Sequence, residues 1–342
     1  MSQTKHILVT GGAGYIGSHT VIELINAGYS PVIADNFRNS HKSAISGISE
    51  IAQQEIILRE LDVCDLDSFD KVFNEFSFVG IIHFAALKAV GESVERPLDY
   101  YRNNVLGLLN CIELAEKHKV RNIVFSSSCT VYGEPKGEKI VNEKTEMGVA
   151  NAPYGYTKQI GEQMINDVIQ SGADLRILNL RYFNPVGAHP SSKIGELPIG
   201  KPSNLLPFVT QTGVGIHDAL KVFGNDYNTA DGTCIRDYVH VMDVASAHVK
   251  GIEWLEKQSN SFVEILNIGT GKGTSVLEII HTFEEVSGKK LNWEFAERRE
   301  GDIEEIYADV SKAKKLLNWS NERTVKDAVQ DAWNWELKLK NG

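Results

Sequence analysis

The chain has 342 residues, 42% hydrophobic and 23% charged, an ordinary globular composition that is long enough for two lobes. Its net charge of −10 and the lack of a long basic cluster argue against nucleic acid or an anionic membrane as a partner. No apolar run approaches the roughly 20 residues of a membrane span, and no signal-peptide core is visible, so we expect no membrane association.

The first predicted strand, 6–10, leads into a glycine-rich turn and a helix over about 15–28. Residues 10–17 read TGGAGYIG, and glycines in such a turn let the backbone approach a pyrophosphate that the helix N-terminus then binds. A second strand, 31–35, ends at Asp35, where a carboxylate accepts hydrogen bonds from an adenosine ribose and disfavours a 2′-phosphate. We therefore predict NAD as the cofactor, although Arg38 is a neighbour that would favour the phosphate. The alternative is a structural turn with a surface Asp35.

Strands and helices continue to alternate through the first half of the chain. We predict strands at 55–61, 80–84, 122–127 and 175–182, and helices at about 99–118 and 154–171. Such alternation is typical of α/β proteins with a doubly wound parallel sheet, the Rossmann fold.

A catalytic group is predicted where the strand 122–127 ends and the helix 154–171 begins. Tyr154 and Lys158 stand four residues apart, so they share one face of a helix. Tyrosine has a pKa near 10, and its use as a base near neutrality needs a drop of about 3 units, or about 4 kcal/mol, which a nearby ammonium can supply. Ser128, after the strand, can hydrogen-bond a substrate oxygen. Tyr156 has no such lysine, because position 160 is Ile160.

After residue 183, prolines and glycines interrupt the pattern. We predict a dinucleotide-binding Rossmann domain at 1–183 and a smaller C-terminal substrate-binding lobe, mainly 184–342, with some segments returning to the first domain. Helices are predicted there at 241–256, 274–287, 311–318 and 324–338.

The whole chain resembles the extended short-chain dehydrogenase/reductases and, within them, the UDP-glucose 4-epimerases. Beyond the glycine turn and the Tyr154–Lys158 pair, the resemblance rests on several sequence blocks. These are SSSCTVYG (126–133), HFAALK (83–88), NNV (103–105), LRYFNPVG (180–187), FGNDY (223–227), RDYVHVMD (236–243) and RREGD (298–302).

The resemblance implies interconversion of UDP-galactose and UDP-glucose with tightly bound NAD. Tyr154 would remove the proton of the 4′-hydroxyl, with Ser128 as its hydrogen-bonding partner, and hydride would leave C4′. The 4-keto sugar would then rotate about its bond to the pyrophosphate, and hydride would return to its opposite face. Cofactor residues implied are Gly11, Gly14, Tyr15, Ile16, Gly17, Asp35, Asn36, Asp62, Val63, Phe84, Ala85, Lys88, Asn103, Tyr154, Lys158 and Tyr182. Residues implied for the UDP-sugar are Ser128, Asn184, Asn204, Phe223, Arg236, Arg299 and Asp302.

Other readings of the same residues stay open. Arg236 with Asp237, or Arg299 with Asp302, could form surface salt bridges instead of a phosphate clamp. A 4,6-dehydratase or decarboxylase of the same fold is the nearest alternative, but dehydratases resemble STDEVYG at the strand end. Here Cys129 and Thr130 replace the two carboxylates, which argues against dehydration. A non-catalytic NAD-binding sensor would not need the tyrosine–lysine pair.

Three further expectations complete the sequence interpretation. The four scattered cysteines lack a CxxC pair and the ten histidines lack a metal-binding spacing, so we expect reduced thiols, a cytoplasmic location and no metal. Relatives form dimers through the helices that correspond to 99–118 and 154–171, so a homodimer is expected. The wall beside the sugar 2′-substituent aligns with Ile306, whose intermediate size leaves N-acetylated sugars open.

Overall fold

The structure is a computed structural model that describes residues 4–135, 138–299 and 302–341. In chain order its strands are β1 (His6–Thr10), β2 (Ser30–Asp35), β3 (Ile57–Glu60), β4 (Phe78–His83), β5 (Asn122–Ser126), β6 (Ile140–Val141), β7 (Arg176–Tyr182), β8 (Asn184–Val186), β9 (Leu220–Phe223), β10 (Ile235–Arg236), β11 (Tyr238–His240), β12 (Phe262–Ile268), β13 (Thr274–Ser275), β14 (Trp293–Ala296) and β15 (Glu305–Ala308). Its α-helices are α1 (Tyr15–Asn26), α2 (Ser43–Ala52), α3 (Leu66–Glu75), α4 (Val90–Glu95), α5 (Pro97–Tyr100), α6 (Leu106–Lys117), α7 (Pro153–Gln170), α8 (Leu205–Val214), α9 (Val241–Glu256), α10 (Val276–Ser287), α11 (Ser311–Leu317) and α12 (Val325–Asn341).

The main sheet has seven strands in the order β12-β7-β5-β4-β1-β2-β3. Every neighbouring pair in it is parallel. From β1 the chain winds outward through β2 and β3, and then returns to build the other half from β4 onward. This reversal leaves a crevice at the carboxyl ends of β1 and β4, the place where open α/β sheets bind ligands. The predicted doubly wound parallel sheet is confirmed.

Both faces of this sheet are covered, as an all-parallel sheet requires. Because successive side chains of a strand point to opposite faces, Val9 packs into one core with α1, α2 and α9. Leu8 packs into a second core with α3, α6 and α7. The continuous apolar run of β1 is therefore explained by burial on both sides.

The second half of the chain builds small sheets and also returns to the large one. Strands β13, β10, β15 and β6 form a four-stranded sheet, while β11 pairs with β8 and β14 with β9. A separate core lies among α8, α10 and α12. However, β12 pairs with β7 along its whole length, and α9 packs on α1. The division of the chain at residue 183 stays a prediction, with α9 and β12 as the segments that rejoin the main sheet.

Most predicted elements are confirmed, but the long helix predicted at 99–118 is not a regular α-helix. It consists of α5, a π-helical turn at Tyr101–Val105, and α6. Helices α2, α3, α4 and α8, strand β12 and the strands of the smaller sheets were not predicted. Among the described residues, no helix combines the length and apolar character needed to cross a membrane.

Candidate active site

A cavity of about 920 Å³ opens at the crevice formed by β1 and β4. Every residue predicted for the cofactor lines it: Gly11, Gly14, Tyr15, Ile16, Gly17, Asp35, Asn36, Asp62, Val63, Phe84, Ala85, Lys88, Asn103, Tyr154, Lys158 and Tyr182. These residues come from the ends of several strands and from two helices. The fold therefore brings together a set of residues that is dispersed over the first half of the sequence.

The glycine turn is shaped so that backbone, not side chains, faces this cavity. Gly11 has φ of +70°, and a Cβ on it would lie 2.8 Å from the Ala85 nitrogen. A Cβ on Gly17 would collide with the Gly11 carbonyl oxygen. Gly14 is the N-cap of α1 and offers no side chain to cap the helix, so the N-terminus of α1 is directed at the cavity with its amide groups available. This geometry fits a pyrophosphate.

Asp35 ends β2 and is held rigidly at the cavity wall. Its carboxylate accepts hydrogen bonds from the Ala13 nitrogen at 3.0 Å, the Phe37 nitrogen at 2.9 Å and the Ser40 hydroxyl at 2.8 Å. Arg38 lies nearby, but its guanidinium is 3.7 Å from the Asp99 carboxylate. The Asp35 carboxylate is buried at the cavity wall, and Arg38 is paired with Asp99. This arrangement fits an adenosine ribose with free hydroxyls better than a ribose that carries a 2′-phosphate.

Tyr154 and Lys158 line the cavity, and Ser128 lies next to Tyr154. Pro153 starts α7 at a position where its missing N–H costs nothing, which places Tyr154 in the first turn. The Ser128 side chain is close enough to the phenol to lower the pKa of Tyr154. The Lys158 ammonium donates to the Ser126 carbonyl at 2.6 Å and lies 5.9 Å from the centre of the Tyr154 ring. The predicted catalytic residues therefore form one group, with the lysine beside the phenol ring.

Burial dominates the electrostatics of this group. It raises the pKa of Tyr154 well above the ordinary value, an effect that Tyr182 adds to and the Ser128 hydrogen bond only partly offsets. Burial also lowers the pKa of Lys158 to about 7, against the opposing charge of Glu162. The sequence-based expectation of a lowered pKa for Tyr154 is therefore not met by the protein groups alone, and the stabilisation of the phenolate by Lys158 stays a prediction. The physical reason is that desolvation penalises the phenolate and the ammonium alike.

A buried ion pair, which the sequence interpretation did not identify, lies beneath the catalytic group. Glu162 follows Lys158 by four residues on α7, and its carboxylate accepts from the Ser127 hydroxyl at 2.5 Å. Arg181 donates to both oxygens of Glu162, at 2.9 and 2.6 Å. Their side chains are 3% and 1% exposed, so the pair anchors the serine turn from inside the protein. The four-residue spacing of Lys158 and Glu162, which puts both on one face of α7, is the sequence signal that could have identified Glu162.

Asn104 is a second functional residue that sequence reasoning missed. It lies in the π-helical turn, where its side chain accepts from the Leu87 nitrogen at 2.8 Å and donates to the Leu87 oxygen at 3.0 Å. It also donates to the Thr157 hydroxyl at 3.0 Å. Asn104 therefore ties the cavity-lining segment after β4 to the helix that carries Tyr154. A π-turn at such a place is a frequent feature of functional sites.

None of the residues predicted for the substrate is among those that line this cavity, and apart from Ser128 they form smaller groups outside the lining. The Arg236 guanidinium lies 3.4 Å from the Asp302 carboxylate, and the Arg236 side chain is 16% exposed, so its partner is Asp302 and not Asp237, and the pair is partly buried. The Arg299 guanidinium stacks 4.5 Å from the centre of the Phe223 ring. Asn204 and Lys88 both donate to one oxygen of Glu196, at 2.6 and 2.9 Å.

Two more substrate-side positions are fixed by strand pairing. Asn184 begins β8 opposite Tyr238. Ile306 is the strand partner of Arg236 and is only 4% exposed. Within the RREGD block, residues 300 and 301 lie outside the described residues. Among those that are described, no group of three or more His, Cys, Asp or Glu side chains is placed to hold a metal ion.

Comparison with known proteins identifies the family. The family model described as GDP-mannose 4,6 dehydratase matches residues 8–332. The UDP-glucose 4-epimerase of Bacillus subtilis (strain 168) is 49% identical, with 98% of each chain covered. A crystal structure of UDP-glucose 4-epimerase from Bifidobacterium longum, in complex with NAD⁺ and UDP, is 44% identical with a TM-score of 0.94 and covers 99% of this chain and 100% of its own. One from Stenotrophomonas maltophila, with bound NAD and formylated UDP-arabinopyranose, is 42% identical with a TM-score of 0.95 and covers 98% and 99%.

The chain belongs to the UDP-glucose 4-epimerase family. The resemblance predicted from the sequence blocks is confirmed over nearly the full length. The match to a dehydratase family model reflects the wider group of extended short-chain dehydrogenase/reductases, in which epimerases and dehydratases share the fold. Within that group, Cys129 and Thr130 follow Ser128 where the dehydratase pattern has two carboxylates.

Proposed function

We propose that this protein interconverts UDP-galactose and UDP-glucose by reversible oxidation at C4′ with bound NAD. The observation that carries the proposal is that Tyr154 and Lys158, with Ser128 next to Tyr154, lie in a cavity that every predicted cofactor residue lines. Only an enzyme that performs redox chemistry on a hydroxyl needs a tyrosine base at that place. A sensor that binds NAD has no use for it.

NAD fits the cavity because of its walls. The backbone turn at 11–17 matches a pyrophosphate, Asp35 matches a ribose, and the structures of two relatives contain NAD. When bound, NAD⁺ supplies a hydride acceptor that carries a positive charge. These features support tight binding of NAD without a requirement for added cofactor.

Tyr154 acts as the base that accepts the proton of the sugar 4′-hydroxyl, and it returns the proton in the reverse step. Ser128 lies next to the phenol, where it lowers the pKa of Tyr154, and we propose that it links the phenol to the substrate oxygen. Lys158 is anchored by the Ser126 carbonyl, so its charge stays beside the Tyr154 ring. Because burial raises the pKa of Tyr154, a charged phenolate forms only where these neighbours and the ligand compensate for the lost solvation.

The UDP-sugar is proposed to lie between the two lobes, against the substrate residues. Arg236 and Arg299 supply guanidinium groups that match a diphosphate in a bidentate way. The full set is Ser128, Asn184, Asn204, Phe223, Arg236, Arg299 and Asp302. In the structure Arg236 and Asp302 already form a pair and Arg299 already lies on Phe223, so substrate binding is expected to exchange these contacts.

Conversion of UDP-galactose by the purified protein without added NAD tests this function. We expect the same mixture of UDP-glucose and UDP-galactose to be reached from either sugar, as measured by the anomeric proton signals in NMR. A dehydratase would instead yield a 4-keto-6-deoxy sugar, and a sensor would yield no product. Either result would contradict the proposal.

We further propose that the protein forms a homodimer in the cytoplasm. Leu98 and Leu109 are 71% and 45% exposed, and they are three helical turns apart on the segment α5 to α6. Tyr156 and Ile160 are both 38% exposed and share one face of the neighbouring α7. Apolar side chains that are exposed in the single chain and lie in adjacent rows are typical of a surface that becomes buried in an interface between subunits. The four cysteines are free thiols, which suits a reducing compartment.

A further inference from the structure

Asp237 is a buried carboxylate that the proposed reaction does not use. It lies between β10 and β11, directly after Arg236, and its side chain has no exposed surface. The sequence invites the interpretation that it pairs with Arg236. The structure pairs that arginine with Asp302 instead, so the role of Asp237 has to be found in its other contacts.

The Asp237 carboxylate is satisfied almost entirely by backbone groups of two other segments. One oxygen accepts from the Thr270 nitrogen at 2.8 Å and the Thr270 hydroxyl at 2.7 Å. The other accepts from the Gly271 nitrogen at 3.0 Å and the Ala308 nitrogen at 3.1 Å. The segment 269–271 follows β12 of the main sheet, and Ala308 ends β15. The Asp237 side chain therefore joins the edge of the main sheet to the four-stranded sheet that contains β10 and β15.

Two residues proposed for the UDP-sugar site, Arg236 and Asn184, and the predicted wall position Ile306 depend on this junction. Arg236 is the chain neighbour of Asp237, and Ile306 is the strand partner of Arg236, two residues before Ala308. The backbone nitrogen of Asn184 donates to the Asp237 carbonyl at 2.9 Å. A shift of Asp237 would therefore move Arg236, Ile306 and Asn184 together relative to the main sheet. Tyr154 and the cofactor cavity belong to the half of the molecule that is built on that sheet.

The packing around the carboxylate leaves little room for adjustment. A Cβ at Gly269 would collide with the Asp237 carboxylate and lie 2.9 Å from the Ala308 Cβ. Gly271 has φ of +73°, a conformation that glycine adopts without strain. The 269–271 turn is thus shaped to place two amide groups on Asp237.

We infer that Asp237 is a positioning residue that aligns the nucleotide-sugar half of the active site with the cofactor half. This inference rests on the proposed function, because it concerns the residues assigned there to UDP-sugar binding. Asp237 is therefore expected to affect the affinity for the substrate, and not the chemical step or NAD binding. The reason is that none of the contacts of Asp237 reaches Tyr154, Lys158 or the glycine turn.

The test is Asp237→Asn, in which the amide directs an NH₂ group at backbone N–H donors. We expect the Kd for UDP, measured by calorimetry, and the KM for UDP-galactose to rise about tenfold, because the loss of hydrogen bonds at the buried carboxylate would let Arg236 and Asn184 move from their positions. We expect kcat to change less than about threefold and the bound NAD to stay at the wild-type amount, since the transition-state contacts are untouched.

Asp243→Asn is the matched control. Asp243 is equally buried and accepts from the Glu322 and Arg323 nitrogens, but it lies on α9, away from the substrate residues. A purely structural role of Asp237 predicts that both variants lower thermal stability and that neither changes the Kd for UDP. Unchanged UDP affinity in folded Asp237→Asn, or an equal loss in Asp243→Asn, would overturn the inference.

Thr270→Val provides a milder variant if Asp237→Asn does not fold. It removes one donor to the carboxylate and keeps the shape of the side chain, so we expect about a threefold weaker affinity for UDP. Wild-type UDP affinity in Thr270→Val would then contradict the inference. A wild-type protein that neither binds UDP nor converts UDP-galactose would instead refute the proposed function. The failure of the proposed function can therefore be distinguished from the failure of the inference about Asp237.

Discussion

At the scale of single residues, the pair Tyr154 and Lys158 could be predicted because the spacing of four residues is a local property of a helix. Their electrostatics could not be predicted, since the pKa of each group depends on how deeply the fold buries it. Glu162 and Asn104 were missed for a similar reason. Their partners Ser127 and Leu87 are remote in sequence and meet them only in the folded chain.

Tyr154→Phe tests the role of the phenol itself. We expect kcat to fall by about a hundredfold or more, because general acid–base catalysis contributes at least that much. NAD content should stay at the wild-type level, since the ring remains and the glycine turn and Asp35 are unchanged. Activity is measured as conversion of UDP-galactose, and NAD is quantified after denaturation of the protein.

Tyr156→Phe is the matched control for that variant, because it makes the same change two residues away on an exposed side chain. Its kcat should remain near the wild-type value. A Tyr154→Phe protein with more than about a tenth of the wild-type kcat would show that the phenol is not the base.

At the scale of elements, long periodic helices and buried strands were predictable and irregular ones were not. Helix α9 was predicted with its observed bounds, because its apolar side chains recur with helical periodicity. The π-helical turn at Tyr101–Val105 was not, since the bonds of Asn104 that accompany it are tertiary. Strand β12 was missed because its pairing with β7 joins segments that are far apart in the chain. The glycine turn and Asp35 could be predicted because they follow β1 and β2, whose carboxyl ends must meet at one edge, whereas most other cofactor residues were implied by the resemblance to the family.

The exposed apolar rows on α5 to α7 give a prediction about assembly. We expect the wild-type protein to sediment as a dimer, and the double variant Leu109→Glu with Ile160→Glu to sediment as a monomer, because two charges would be desolvated at the interface. Ile216→Glu is the control, since Ile216 is 61% exposed in another part of the molecule. A monomeric wild type, or a charged double variant that still dimerises, would contradict the proposed interface.

At the scale of the whole molecule, buried histidines connect stability to pH. Burial lowers the pKa of His19 and His83 to about 3 and that of His248 to about 4. Between pH 6.5 and about 4, the unfolded chain binds protons at these positions and the folded chain does not. The free energy of unfolding therefore falls as pH falls through this window, by about 1 kcal/mol per pH unit for each histidine.

His248→Phe isolates one of these contributions, because its ring packs against Phe84 and Tyr182 and a phenyl ring can take its place. We expect the loss of stability from pH 6.5 to pH 5, measured by urea unfolding, to be smaller in this variant by about one third of the histidine contribution. His281→Asn, a change at an exposed side chain, should leave the pH dependence unchanged. An identical slope in His248→Phe and the wild type would contradict this account.

The central claim is that the hydrogen at C4′ leaves and returns as hydride, while Tyr154 handles only the hydroxyl proton. Conversion of UDP-galactose that carries deuterium at C4′, in ordinary water, tests this claim most directly. We predict that the UDP-glucose formed keeps its deuterium at C4′, as measured by mass spectrometry and NMR, because hydrogen transferred as hydride stays bound to carbon and does not exchange with water. Replacement of that deuterium by hydrogen from water would show that the carbon is deprotonated instead, and would contradict the proposed mechanism.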